Sequence, residues 1–287
     1  AFIPCLLIQA QEAARLVSAD PVVHEQVMRE VLHWAEEMDL NQSPPAMAQR
    51  IHRRLREITG IDDPYLAAKA RQNRISIELL PVLRAEIQSS RSPLMTAVRI
   101  AIAGNMIDMG ANGNVKIVDI HQTMQQALTE LFFGEQDKFR QAVAKAQSIL
   151  YLADNAGEIA FDRLLVEQIS PERVTFVVRG APVINDATLA DARAVGLDKI
   201  VEVIDNGSDA PGTILNDCHQ EFRRRFADAD LIIAKGQGNF ETLNNEPGNI
   251  FFLFRAKCPL VADQVNQPIG TQMLVQSRSG KNELANK

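Results

Sequence analysis

Ile149-Leu150-Tyr151-Leu152-Ala153-Asp154-Asn155-Ala156-Gly157-Glu158 decides the fold. The apolar run that opens it has the length of a strand rather than a helix. Without polar alternation, such a run fits a strand covered on both faces. Asp154 and Asn155 stop it, Gly157 permits a turn, and a helical pattern continues through Ile169. Strand, turn and helix in that order are the first half of a βαβ unit.

The same grammar repeats downstream. Apolar runs at 174–178, 200–204, 231–234 and 250–254 end respectively in Arg179-Gly180-Ala181-Pro182, Asp205-Asn206-Gly207-Ser208, Lys235-Gly236-Gln237-Gly238-Asn239 and Arg255-Ala256-Lys257-Cys258-Pro259. Helical stretches separate most of them, as where Leu215, Cys218, Phe222 and Phe226 fall on one face. Alternating strands and helices predict a mostly parallel sheet with helices on both sides. Residues from about 276 onward are polar and read as a loose tail.

Upstream the pattern is helix after helix. Ser43-Pro44-Pro45 is a start signal, followed by Met47, Ile51, Leu55 and Ile58 at helical spacing. Asp63-Pro64 and Ser92-Pro93 repeat the signal, Val27, Val31 and Trp34 make a further stripe, and Pro81 is expected to kink or end its helix. The division predicted is a helical bundle over 1–146 and an α/β domain over 147–287.

Composition excludes several functions. Of 287 residues, 46% are hydrophobic and 23% charged, the balance of a globular protein. A net charge of −6 argues against nucleic acid as main partner, because phosphate backbones are bound by basic surfaces. Cys5, Cys218 and Cys258 are spaced neither as a metal knuckle nor as a disulfide framework, which suits a reducing compartment. The apolar opening 1–10 contains Pro4 and no preceding basic residues, so it does not read as a signal peptide, and no run reaches membrane-spanning length. A cytoplasmic protein with no membrane partner is expected.

In an open parallel sheet, ligands bind at the carboxyl ends of the strands. Those ends carry Asp154, Asn155, Arg179, Asp205, Asn206, Lys235 and Lys257. Asp154 and Asn155 are either helix caps or oxygen ligands for a hard cation such as Mg²⁺ or Mn²⁺. Asp186, in Asn185-Asp186-Ala187-Thr188, has the same two readings from the next strand end. Lys235 beside Gly236 and Gly238 is either an ordinary glycine turn or an anion cradle with its own cation. Lys257 is either a solvated strand-end lysine or a second cation at that edge. Asn105 and Asp108, three apart among Ala, Ile and Met, share a helix face and need partners.

Taken together, the motifs around Asp154-Asn155-Ala156-Gly157-Glu158, Asn185-Asp186, Asn105-Met106-Ile107-Asp108 and Lys235–Asn239 resemble the damage-control phosphatase family, most closely its compact prokaryotic branch. The resemblance runs from about residue 5 to about 270. It implies a helical N-terminal domain on a Rossmann-like three-layer α/β/α domain. It also implies a phosphatase that hydrolyses sugar phosphates or damaged phosphometabolites with Mn²⁺, Co²⁺, Ni²⁺ or Mg²⁺. Carried over by motif, the metal ligands fall on Asp154, Asn155 and Asp186. Substrate contacts fall on Lys235, Gly236, Gly238, Asn239 and Lys257, with Asn105, Asp108 and Glu158 lining the same pocket. Members often open with Cys-x-Pro-Cys where this chain reads Phe2-Ile3-Pro4-Cys5, so no role for a cysteine pair carries over.

The mechanism this implies is in-line attack by a metal-activated water, with Lys235, Lys257 and glycine N–H groups meeting the developing charge. Asp154 as a covalent nucleophile is the lower-ranked alternative, since a metal-ligating carboxylate is a poor nucleophile. Two rivals come from other classes. An S-adenosylmethionine-dependent carboxyl methyltransferase would need a richer glycine turn than Asp-Asn-Ala-Gly. A non-catalytic phosphosugar- or nucleotide-binding protein would not need two acids and an amide converging.

Overall fold

The computed structural model describes residues 2–37, 42–106, 117–257 and 259–277. It opens with α1 (Phe2–Val17), α2 (Pro21–Glu37), α3 (Pro44–Thr59), α4 (Leu66–Ser89), α5 (Pro93–Ala103) and α6 (Ile117–Ala127). Strand β1 (Phe132–Gly134) and α7 (Gln136–Lys145) lead into β2 (Ile149–Leu152), α8 (Glu158–Val166), β3 (Val174–Val178), α9 (Leu189–Ala194) and β4 (Glu202–Asp205). The chain continues through α10 (Gln220–Asp228), β5 (Leu231–Lys235), α11 (Gly236–Leu243), β6 (Ile250–Arg255), α12 (Pro259–Val265) and β7 (Gln272–Gln276).

The strands form one sheet in the order β1-β7-β6-β5-β2-β3-β4, with every pair parallel except β6 and β7. The chain is therefore an α/β protein with a mostly parallel sheet. From β2 it steps outward through β3 to β4, then returns to lay β5 on the other side of β2. That reversal makes the crevice between the carboxyl ends of β2 and β5 the topological switch point, where such sheets bind ligands.

Successive strand residues serve opposite faces. Ile149, Tyr151 and Ala153 join Ile233, Phe251 and Leu253 in a core shared with helical residues such as Leu83, Val98 and Leu164. Leu150 and Leu152 join Ile232, Phe252 and Phe254 against Phe222, Phe240 and Val261. A third core, with Leu6, Val27, Val31, Ile51 and Leu55, belongs to α1–α3 alone. Residues 1–146 thus do not pack as one helical unit. α4, α5 and α6 share the core of the sheet, and β1 pairs with β7. The reason is visible in α5, where Ala97, Val98, Ile100, Ala101 and Ile102 are all fully buried. A helix apolar nearly all round needs cover on every side.

Pro81 does not end its helix, since α4 runs through it to Ser89. Pro81 faces solvent, so the carbonyl that loses its partner can be hydrated. Among the described residues no helix is long and apolar enough to cross a membrane.

His52 on α3 is 6% exposed, with its ring 6.1 Å from that of Tyr65. Burial, reinforced by Arg56 and opposed by Asp209, pushes its pKa from 6.5 down to about 4. The unfolded chain therefore takes up this proton before the folded chain does. Stability is unaffected above the unfolded pKa and is lost as pH falls from 6.5 towards 4, by about 3 kcal/mol in all. Urea midpoints measured down this range should fall less steeply in His52→Leu than in the parent. Parallel curves would contradict the assignment.

Candidate active site

The backbone brings the sequence-predicted ligands to one place. The Ala187 N–H donates to the Asp154 carbonyl at 2.8 Å, and the Ala156 N–H to the Asn185 carbonyl at 2.8 Å. These bonds form an antiparallel bridge between Asn155 and Asp186, just beyond the ends of β2 and β3. Gly157 then turns the chain at φ +74°, with its N–H held by Asn73 Oδ1 at 2.7 Å. On the other side of β2, Gly236 opens α11 at φ +80° directly against Asp154. A Cβ there would lie 2.0 Å from Asp154 Oδ2, so the position accepts only glycine.

The side chains divide their hydrogen bonds in a consistent way. The Asn105 amide donates to Asp154 Oδ2 at 2.7 Å and to Glu158 Oε2 at 2.9 Å. The Asn155 amide donates to the same two oxygens at 3.0 and 3.1 Å. Asp186 Oδ2 accepts from Arg179 Nε at 2.7 Å. Asp154, Asn155 and Asp186 are each left with Oδ1 unpaired among the described residues. Burial, with Glu158 and Asp186, holds the Asp154 carboxyl well above the usual carboxylate range, against Arg179 and Lys257. Burial raises Asp186 as well, with Arg179 opposing. Buried negative charge of this kind is what a divalent cation offsets.

Lys235 is placed differently from the sequence expectation. It is fully buried, and Nζ donates to Glu158 Oε1 at 2.5 Å, Asp162 Oδ1 at 2.6 Å and the Ala101 carbonyl at 2.9 Å. An ammonium has three donors, so none remains for a phosphate. Burial pulls the Lys235 pKa down, but Asp162 and Glu158 more than offset this and hold it above that of an ordinary lysine. Asp162 is pushed up to about 6 by burial, against the pull of Lys235 and of the Tyr151 hydroxyl, which donates to Asp162 Oδ1 at 2.8 Å. Glu158, expected as a substrate contact, has both oxygens engaged and acts as the hub joining Asn105, Asn155 and Lys235.

The remaining candidates divide. The segment from Gly236 is the first turn of α11 rather than a free glycine loop. Asn239 is fully buried and donates to the Ala153 and Lys235 carbonyls at 3.1 and 2.7 Å, so it ties α11 to the strand ends and offers a phosphate no donor. Gly238 packs on the Pro211 carbonyl, 2.2 Å from where a Cβ would stand. Lys257 is exposed and near enough to Asp154 to draw its pKa down. Asp108 and Cys258 lie outside the described residues, as does the Cys5 side chain.

Two contributors were missed in the sequence. Asp162 follows Glu158 by four on α8, and that shared helix face was the available signal. Asn73 had none, because it acts on Gly157 from α4 only once the fold is made. A polar cleft of about 450 Å³ between Gln147, Glu172 and Lys199 opens at the amino edge of β2–β4, away from these groups. Among the described residues no set of three or more His, Cys, Asp or Glu is arranged for a metal. A cation here would depend on the Asn155 amide oxygen beside two carboxylates, a donor set suited to hard ions.

The Damage-control phosphatase ARMT1-like domain family matches residues 2–273. The chain belongs to this family. It is 37% identical over 273 residues to a damage-control phosphatase of Archaeoglobus fulgidus, covering 93% of this chain and 94% of that one. It is 31% identical to a damage-control phosphatase of Pyrococcus horikoshii, covering 96% of each. A crystal structure of a DUF89 family protein from Pyrococcus horikoshii superposes with a TM-score of 0.88 at 31% identity, over 96% of this chain and 98% of that one. Membership of the damage-control phosphatase family supports a phosphatase role on damaged metabolites.

Proposed function

We propose that the protein is a divalent-metal-dependent phosphomonoester hydrolase of small phosphorylated metabolites, sugar phosphates among them, with Asp154, Asn155 and Asp186 holding the cation. The reading rests on how these residues divide their bonds. Each spends one end on a neighbour and keeps one oxygen, which fixes its orientation and leaves a donor for a hard cation. Such a cation supplies Lewis-acid polarisation of a phosphoryl oxygen and a lowered pKa for water.

The protein's own groups do the rest. The Asn105 and Asn155 amides hold Asp154 and Glu158 side by side despite their like charge. Lys235, itself held by Asp162, anchors Glu158 from beneath. Arg179 and Lys257 place positive charge beside the carboxylates, where phosphoryl charge would develop. Arg179 is 3% exposed and its Nη2 is buried without a partner among the described residues, which leaves that donor for an anion. Such a protein suits the reducing cytoplasm its three scattered cysteines imply.

Protein stripped with EDTA should lose hydrolysis of sugar phosphates and regain it with Mn²⁺, Co²⁺, Ni²⁺ or Mg²⁺. Full activity without metal would refute the cation's role. Inactivity with every metal across a panel of phosphorylated metabolites would refute the phosphatase reading.

A further inference from the structure

Arg56 lies on α3, within the α1–α3 unit whose hydrophobic core is separate from that of the sheet. Its guanidinium crosses between the two. Nη1 donates to the Pro182 carbonyl at 2.8 Å, and Nη2 donates to Asp209. Pro182 lies in the loop between β3 and α9 that carries Asp186, and Asp209 lies in the loop after β4.

The Asp186 loop is not a self-sufficient turn. Ile184 sits at φ +45°, in the left-handed region where a β-branched side chain is strained. Such conformations persist only when the surroundings over-determine them. The Asp186 N–H closes the turn on the Val183 carbonyl at 3.0 Å, and Arg179 holds the Asp186 side chain at the far end. At the near end, the Pro182 carbonyl is held by Arg56.

We propose that Arg56 is a positioning residue for Asp186, making the α1–α3 unit a working part of the site. This rests on the metal-site reading above. Arg53 supplies an internal control. It grips the same Asp209 at 2.6 and 2.9 Å and reaches Asp217 at 3.2 Å, but makes no bond to the Asp186 loop among the described residues. Removing Arg53 therefore loosens the docking of α3 and leaves Pro182 held.

The test is the Mn²⁺ dissociation constant of the full chain, by calorimetry or by the paramagnetic resonance of free Mn²⁺, with urea midpoints alongside. Arg56→Met should weaken Mn²⁺ binding about tenfold, the lower end of what outer partners of metal ligands contribute. Arg56→Lys should recover part of this, because a lysine can still donate to the Pro182 carbonyl. Arg53→Met should stay within about twofold of the parent while lowering the urea midpoint. Parental affinity in Arg56→Met, or equal weakening in Arg53→Met, overturns the proposal. A parent chain that binds no Mn²⁺, or Asp186→Ala binding it undiminished, overturns the metal site and this inference with it. That failure is distinguishable because it appears without any change at Arg56.

Discussion

Lys235→Ala is expected to destabilise the fold by about 3–5 kcal/mol, the usual cost of breaking a buried ion pair from one side. The substitution strands Glu158 and Asp162, both buried, without a countercharge, and removes the donor to the Ala101 carbonyl. The loss should shrink as pH is lowered. Without the lysine, the folded-state pKa of Asp162, already pushed up to about 6 by burial, rises further, so stability is lost as pH rises through it and returns as the carboxyl protonates. Urea unfolding from pH 5 to 8 checks this. Parental stability combined with a fall in kcat/KM would restore Lys235 as a direct phosphate ligand and contradict its placement here.

Asp154→Asn should divide activity from stability. The variant keeps an oxygen to accept from Asn105 and Asn155 but loses a carboxylate from the cation's ligand set. Metal-supported hydrolysis should fall by about 10³-fold or more, the scale of a principal electrostatic group in catalysis. In metal-free protein the same change removes a carboxyl whose ionisation is opposed by burial, Glu158 and Asp186. The melting temperature should therefore rise, by roughly 2–4 °C for about 1 kcal/mol in a chain of this size. Strained charge at a functional site commonly trades stability for activity in this way. A variant of parental activity, or one with a lowered melting temperature, contradicts this account of Asp154.

The sheet's centre was legible because β2, β3, β5 and β6 are predominantly apolar runs, largely buried on both faces. β7 was not. Gln272 and Gln276 are both buried at its ends, and Gln272 compensates by donating to the Ala127 carbonyl at 2.7 Å, a partner sequence cannot supply. β1 is three partly covered residues, too short for any pattern. β4 begins at Glu202 rather than with the apolar run at Ile200, because the Ile200 N–H closes a turn on the Leu197 carbonyl. Start signals and helical periodicity pointed to α2–α5, yet they carry no information on which partner each stripe meets. The boundary drawn at residue 147 consequently missed that α4–α6 belong to the sheet's core.

The site followed the same logic. The convergence of Asp154, Asn155 and Asp186 was readable because parallel topology places the ends of adjacent strands side by side. Asn105 was readable as an amide among small apolar residues. Lys235 misled because its position at a strand end says nothing about Glu158 and Asp162, which reach it from α8. Gly236 was singled out for anion approach, whereas its bare Cα makes room for the Asp154 carboxylate.

The function proposed for this protein depends on Asp154, Asn155 and Asp186 holding one divalent cation. A crystal grown with Mn²⁺ and measured at a wavelength where manganese scatters anomalously tests it most directly. The expected result is a single anomalous peak about 2.0–2.4 Å from Oδ1 of each of the three residues. A peak elsewhere, or none at millimolar Mn²⁺ with these side chains still locked as they are, would contradict it.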